Sequence, residues 1–252
     1  MNDPEDKLFA ARLSDMVSRC ERDSCPQYSA FLDERQCAAA EQWCLRNTGG
    51  LCTALWGGFP EARRRMLTVY PDFCEDYVME SFPMQCLTFT YRKEDRLTHR
   101  DFLGALMGLR LKRETVGDIV TGEGMAQIFV TDVAAKLITG SLSKIGRVGV
   151  KVFDDRPFSL EVKQEFQEMN GTVASMRLDC IVGLAAKLSR ENAAKLIRSE
   201  RVDINHFTVT SVSAELHEGD VLSIRGSGRF ILAGTEGSTK KGRIHIKLRK
   251  YI

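Results

Sequence analysis

Apolar positions recur at helical spacing near the start of the chain. Leu8, Phe9, Leu13, Met16, Val17 and Cys20 share one face, and residues 31–46 repeat the period with Cys37, Ala40, Trp43 and Cys44. "NTGG" at 47–50 then supplies the glycines that a helix C-terminus favours. "LWGGFPEARRRMLTVYP" reads as a loop, a short helix entered at Pro60 and an apolar run; Arg63, Arg64 and Arg65 read as a solvated turn. Residues 1–82 are thus expected to form a mainly helical N-terminal domain.

Pro83 marks a boundary, and the period changes after it. "MQCLTFTY" alternates as a strand, and Thr98 can cap a helix running through Phe102, Leu103, Leu106 and Met107. "MAQIFV" reads as a strand, "DVAAKLITGSLSKIG" as a helix capped near Thr131 or Asp132, and "VGVKVF" as a last strand. This order predicts a small α/β domain with its helices on one face of a sheet. Gly171 is taken as the break that ends it, so the domain is placed at 83–171.

Residues 172–252 open with two helices. Leu178, Ile181, Val182, Leu184 and Ala185 define the first; Ser189 can cap the second, which carries Ala193, Leu196 and Ile197 on one side and Lys195 and Arg198 on another. Val202 and Ile204 alternate into a strand, "EGD" at 218–220 signals a turn, and "VLSIRG", "RFILAG" and "RIHIKLRKY" follow as strands. In the last of these, Ile244, Ile246 and Leu248 alternate with Arg243, His245, Lys247 and Arg249, so one face is apolar and the other basic. The fold class expected is α+β in three domains.

Charge sharpens this division. The whole chain carries +2, but residues 176–252 hold 14 Lys+Arg against 8 Asp+Glu, a net +6, which leaves −4 on the remainder. A basic module on an acidic body points to a polyanionic partner. Seven of the 8 cysteines lie within residues 20–86, none in C-x-x-C spacing, and the first histidine is His99. Reduced, mostly buried thiols are expected, with no metal site. The N-terminus "MNDPEDKLFA" is charged where a signal peptide is apolar, and no run approaches a membrane span; the expected location is the cytoplasm, without membrane contact.

The two helices with "VDIN" and "GDVLSIRG" resemble an S4 domain, a small αα-β RNA-binding module. The match rests on Arg177-Leu178-Asp179, Ser189-Arg190, Ala193, Lys195, Ile197, Val202, Asn205 and Gly219-Asp220. The resemblance implies phosphate contacts from Arg177, Arg190, Lys195, Arg198 and Arg201, with Lys187, Ser189 and Asn205 on the same RNA-binding surface. Glu200 departs from the pattern: many S4 domains have glycine there, and a carboxylate weakens the local positive field. Arg225 and Arg229 in "RGSGR" read as a cationic loop whose glycines let backbone approach phosphate, against a hairpin turn with merely solvated arginines.

"SIRGSGRF" at 223–230 and "THRDFLGALMGLRLKRETVGDIV" upstream extend the resemblance to the bacterial YlmH family, with Arg110 where a glycine is expected. That family implies an N-terminal domain, an RRM-like middle domain and a C-terminal S4 domain. It also implies binding to large-subunit ribosomal RNA and tRNA, alongside ribosomal or quality-control proteins, in ribosome-associated quality control of stalled peptidyl-tRNA. Base stacking in the middle domain has Phe89, Tyr91 and Phe129 as candidates, although strand aromatics more often serve a core. His99, Arg100 and Asp101 read as local helix capping. No cofactor and no catalysis are expected. A pseudouridine synthase-like enzyme is the alternative, but Arg177-Leu178-Asp179 is followed by "CIVGL" rather than by the turn such an active site needs. A protein-interaction scaffold linked to cell division is the other.

Overall fold

The computed structural model describes residues 4–162, 164–239 and 242–252. They divide into two compact units, Met1–Val162 and Lys163–Ile252.

The first unit opens with α1 (Pro4–Asp23), β1 (Gln27–Leu32), α2 (Glu34–Asn47), β2 (Cys52–Trp56) and β3 (Arg65–Tyr70). A 3₁₀ turn at Asp72–Cys74 leads into the short α3 (Glu75–Val78). β3 lies between β1 and β2, antiparallel to both. The helices lay Leu13, Met16, Cys20, Cys37, Ala40 and Cys44 against Leu67 and Val69. Asp33 starts α2 by accepting from the Gln36 amide at 2.8 Å, while Gln36 accepts from the Asp33 amide at 3.0 Å, a reciprocal cap. Helices hold more of this region than strands do, but a three-stranded sheet absent from the sequence expectation organises it. Its strands hide from periodicity because β1 and β2 are short and partly exposed, and only Phe31 and Leu32 of β1 are buried.

The second sheet of this unit comes from β4 (Met84–Thr90), α4 (His99–Gly108), β5 (Val116–Gly122), β6 (Met125–Thr131), α5 (Asp132–Ser141), a small hairpin β7 (Lys144–Ile145)/β8 (Val148–Gly149), and β9 (Lys151–Phe153). Strand order is β5-β6-β4-β9, and every pairing is antiparallel. Setting β7 and β8 aside, the succession βαββαβ is the split βαβ arrangement. β5 escaped the sequence reading. Helices α4 and α5 cover one face, where Leu87, Phe89, Ile128 and Val130 meet Phe102, Leu106, Ala134 and Ile138.

The opposite face is also covered. Phe129 packs against Phe59 and Phe158 with ring centroids 5.6 and 5.3 Å apart, in a cluster that includes Phe31, Met66 and Phe82. Gln127, only 1% exposed, holds residues 157–160 across this face. Its amide donates to the Pro157 carbonyl at 2.8 Å and its oxygen accepts from the Ser159 and Leu160 amides at 2.8 and 3.0 Å.

The second unit contains β10 (Phe166–Val173), α6 (Leu178–Ala185), α7 (Arg190–Arg198), β11 (Val202–Ile204), β12 (Phe207–Thr208), β13 (Val221–Ile224), β14 (Gly228–Ser238) and β15 (Ile244–Tyr251). They build an antiparallel sheet in the order β10-β15-β14-β13-β11-β12, whose core joins Leu222, Phe230, Ile246 and Leu248 to Ile181, Val182 and Ile197. This unit begins before residue 172, so the expected boundary is displaced. Gly171 is no break. It pairs with Ile246 inside β10, and a Cβ there would lie 2.5 Å from Leu184 Cδ1, so glycine makes room for α6.

Candidate nucleic-acid interface

The helices α6 and α7 finish in two matching ends. After α6, Lys187 takes φ 54°; its amide donates to Leu184 at 3.3 Å, and the Leu188 amide donates to Gly183 at 2.8 Å. After α7, Glu200 takes φ 57°; its amide donates to Ile197 at 3.1 Å, and the Arg201 amide to Leu196 at 3.2 Å. Both are Schellman ends, with a residue bearing a Cβ where glycine is favoured. Arg110 does the same beyond α4 at φ 60°, so both departures from the family pattern keep the left-handed turn that glycine would supply. Between the helices, Ser189 accepts from the Asn192 amide at 3.3 Å.

The structure sorts the expected RNA-binding residues into three sets. Arg177 and Arg190 converge on Asp179, which is 4% exposed. Arg177 donates to both carboxylate oxygens at 3.2 and 3.1 Å, and Arg190 donates to Oδ2 at 2.9 Å. Burial works to raise this carboxyl, but the hydrogen bonds from Arg177 and Arg190 outweigh it and hold the pKa at about 2. Arg190 also borders a cleft of about 440 Å³ with Arg243 and Cys180.

Arg201, Arg225 and Arg229 form the second set. They line an open cleft of about 510 Å³ with Glu200, Asp203 and Thr208. The Arg225 amide donates to the Arg201 carbonyl at 3.0 Å, which ties the end of α7 to the β13–β14 turn. Gly226 and Gly228 in that turn have φ 88° and 112°, a backbone that opens the cleft wall without side chains. The Arg229 guanidinium sits 4.9 Å from the Tyr251 ring centroid.

The remaining residues lie in neither cleft. Lys187 and Arg198 are exposed, and Lys195 pairs with Glu191 at 2.8 Å along α7. Asn205 is a turn residue. With φ 49° and His206 at 71°, it closes the two-residue turn between β11 and β12, donates to Asp220 at 2.7 Å and accepts from the Val221 amide at 2.9 Å. The basic face of β15 is partly neutralised, because Lys247 lies 3.6 Å from Glu236 and Arg249 3.9 Å from Glu168.

In the first unit Phe89 and Phe129 are buried and Tyr91 donates to the Gly122 carbonyl at 3.1 Å, so these aromatics serve packing. Asp101 accepts from the Thr98 amide at 2.8 Å, the capping role expected. Arg64 is a correction to the solvated-turn reading. Its guanidinium donates to the carbonyls of Val116, Phe31 and Arg113 at 3.0, 3.1 and 3.3 Å, and so joins the two sheets. Sequence reasoning missed it because only tertiary packing singles it out from Arg63 and Arg65. Burial, with Arg64 nearby, lowers the Arg113 pKa to about 10, while burial raises that of Asp118. The cysteines are free thiols, with Cys25 exposed and Cys20, Cys37, Cys44 and Cys74 buried. Burial pushes Cys20 and Cys86 up to about 11. Among the described residues no helix is long and apolar enough to cross a membrane, and no group of His, Cys, Asp or Glu could hold a metal ion.

Fold and surfaces define a class: a two-unit α+β protein whose second unit presents arginines and open backbone in a cleft suited to polyanions. A sequence-family model described as "Putative RNA-binding domain in YlmH" matches residues 78–158. A Bacillus subtilis relative named "Ribosome-associated protein quality control protein P2" is 32% identical over 217 residues, covering 84% of this chain and 82% of the relative. The chain belongs to the YlmH family. A solved Streptococcus pneumoniae structure titled "Cell division protein ylmH" matches with TM-score 0.53 at 23% identity, over 63% of this chain and 94% of that one, and so shares the fold.

Proposed function

We propose that this protein binds RNA on large ribosomal subunits through an S4-type C-terminal module and acts in ribosome-associated quality control. The cleft of Arg201, Arg225 and Arg229 beside the glycine turn carries this reading, since guanidinium groups and open backbone together suit phosphate. The name of the Bacillus subtilis relative supplies the ribosomal context. Lys187 and Arg198 add exposed cations at the ends of α6 and α7. Arg177, Ser189, Arg190 and Asn205 support the surface by fixing its turns and helix starts, while ribosomal RNA and tRNA backbones are the ligands. The RRM-like middle domain contributes no base stacking on its sheet, because that face is packed with Phe59 and Phe158. The location follows the ribosome, in the cytoplasm.

Co-sedimentation with purified large subunits tests this. The parent chain is expected in the subunit fraction at low salt and to leave it steeply as salt rises. Arg198→Ala with Arg201→Ala and Arg225→Ala is expected to abolish co-sedimentation; retention by that variant overturns the reading.

A further inference from the structure

The segment between β3 and β4 has a second surface chemistry. Residues 66–91 contain no lysine or arginine, while Asp72, Glu75, Asp76 and Glu80 fall within them. All four carboxylates are exposed. Among them stand Phe73, 68% exposed, Tyr77, 48% exposed, and Met79, 44% exposed. Phe73, Asp76, Tyr77 and Glu80 are spaced as one helical face, and Cys74, Val78 and Phe82 are the buried counterparts that anchor the segment.

That anchoring fixes the backbone that carries the outer face before any partner arrives. Tyr77 Oη donates to Cys74 Sγ at 3.0 Å, and the Phe73 amide donates to Asp72 Oδ1 at 2.8 Å. Tyr28 braces the rear, with its hydroxyl 2.6 Å from Ser81 Oγ and its ring 5.2 Å from that of Phe82. Tyr77, its ring held this way, loses little conformational entropy on binding.

We propose that this outer face docks a cationic, arginine-bearing polypeptide segment of another protein. Guanidinium groups can stack on Phe73 and Tyr77 while pairing with Asp76 and Glu80, which satisfies both chemistries at once. Nucleic acid and anionic lipid are disfavoured because the carboxylates repel phosphate. A second copy meeting face to face would set like charges together. The proposal is independent of RNA binding by the second unit.

Fluorescence anisotropy of the full-length chain tests it, with a labelled peptide of repeated Arg-Leu-Lys-Arg-Ala as probe and a uridine homopolymer as the RNA comparison. Phe73→Ala with Tyr77→Ala is expected to weaken peptide binding about tenfold and to leave homopolymer binding unchanged. Asp76→Lys with Glu80→Lys, which alters only exposed carboxylates and keeps the test valid if the aromatic pair impairs folding, is expected to weaken the peptide at least as much. No binding by the parent, equal binding by parent and charge-reversal variant, or loss of RNA rather than peptide binding overturns the proposal. So does parent self-association, seen by sedimentation without peptide and lost in the variants, which would assign the face to a second copy.

Discussion

Arg190 donates from Nε to Asp179 Oδ2 at 2.9 Å, so the first turn of α7 is tied to a buried carboxylate in the first turn of α6. Arg177 reaches the same carboxylate from its own side. The basic pattern that suggested RNA contact therefore includes two cations committed to the helix pair.

Asp179→Asn should lower the stability of the second unit by about 2–4 kcal/mol, because it leaves two guanidinium groups without their anion. The pH dependence follows from the depressed carboxyl. Its folded value of about 2 lies below the ordinary 3.8, so its contribution is present above about pH 4 and lost as pH falls toward 2. Urea unfolding across that range should show the loss in the parent and a shallower slope in the Asn variant.

Glu200→Gly should stabilise the chain by about 1 kcal/mol, since φ 57° strains a residue with a Cβ and suits glycine. It also removes a negative charge from the cleft that Arg201, Arg225 and Arg229 line. A raised melting temperature together with tighter RNA binding, several-fold at low salt and less at high salt, is the expected pair of results.

Arg201→Ala with Arg225→Ala should separate binding from folding. A long contact joins them, Arg201 Nη2 to the Arg225 carbonyl at 3.4 Å, so thermal stability should hardly change. RNA affinity should fall, and the slope of log K against log salt should shrink by about 0.7–0.9 for each phosphate contact removed. Arg177→Ala should do the reverse, with a larger loss of stability than of salt slope.

Gln127→Leu should free residues 157–160. The variant leaves the part-buried amides of Ser159 and Leu160 without their acceptor, at a cost of about 1–2 kcal/mol. Hydrogen-exchange mass spectrometry should show faster exchange there, while α4 and α5 keep their protection.

The helices were the most legible part of the sequence. Thr98 and Ser189 announced α4 and α7, because a cap is a local device read from a few residues. β10 was not, since its "FQEMNGTV" is polar and mostly half-exposed, and its place is set by its partner β15. β5 hid for a related reason: Gly117, Asp118 and Gly122 interrupt its apolar run. At the site, the arginines of "RGSGR" were visible and do line a cleft, but the partners of Arg177 and Arg190 were not. Asp179 reads as an ordinary first-turn acid until the fold buries it. Glu200 is the opposite case: sequence flagged the residue, and only backbone geometry explained that it stands in for glycine.

Phe129 lies between the β4–β6 sheet and the aromatic rings supplied by the chain around Phe31 and Phe59. A fragment trimmed to residues 78–158 would turn that apolar face out to water, and it should precipitate or bind hydrophobic dyes. Gly58→Ala probes the same seam from within, because a Cβ there would fall 2.0 Å from Phe129 Cε1. The stretch that the family model matches is thus shorter than the stretch that packs as one compact unit. Expression of the middle domain should keep β1–β3 with it and end just beyond residue 162.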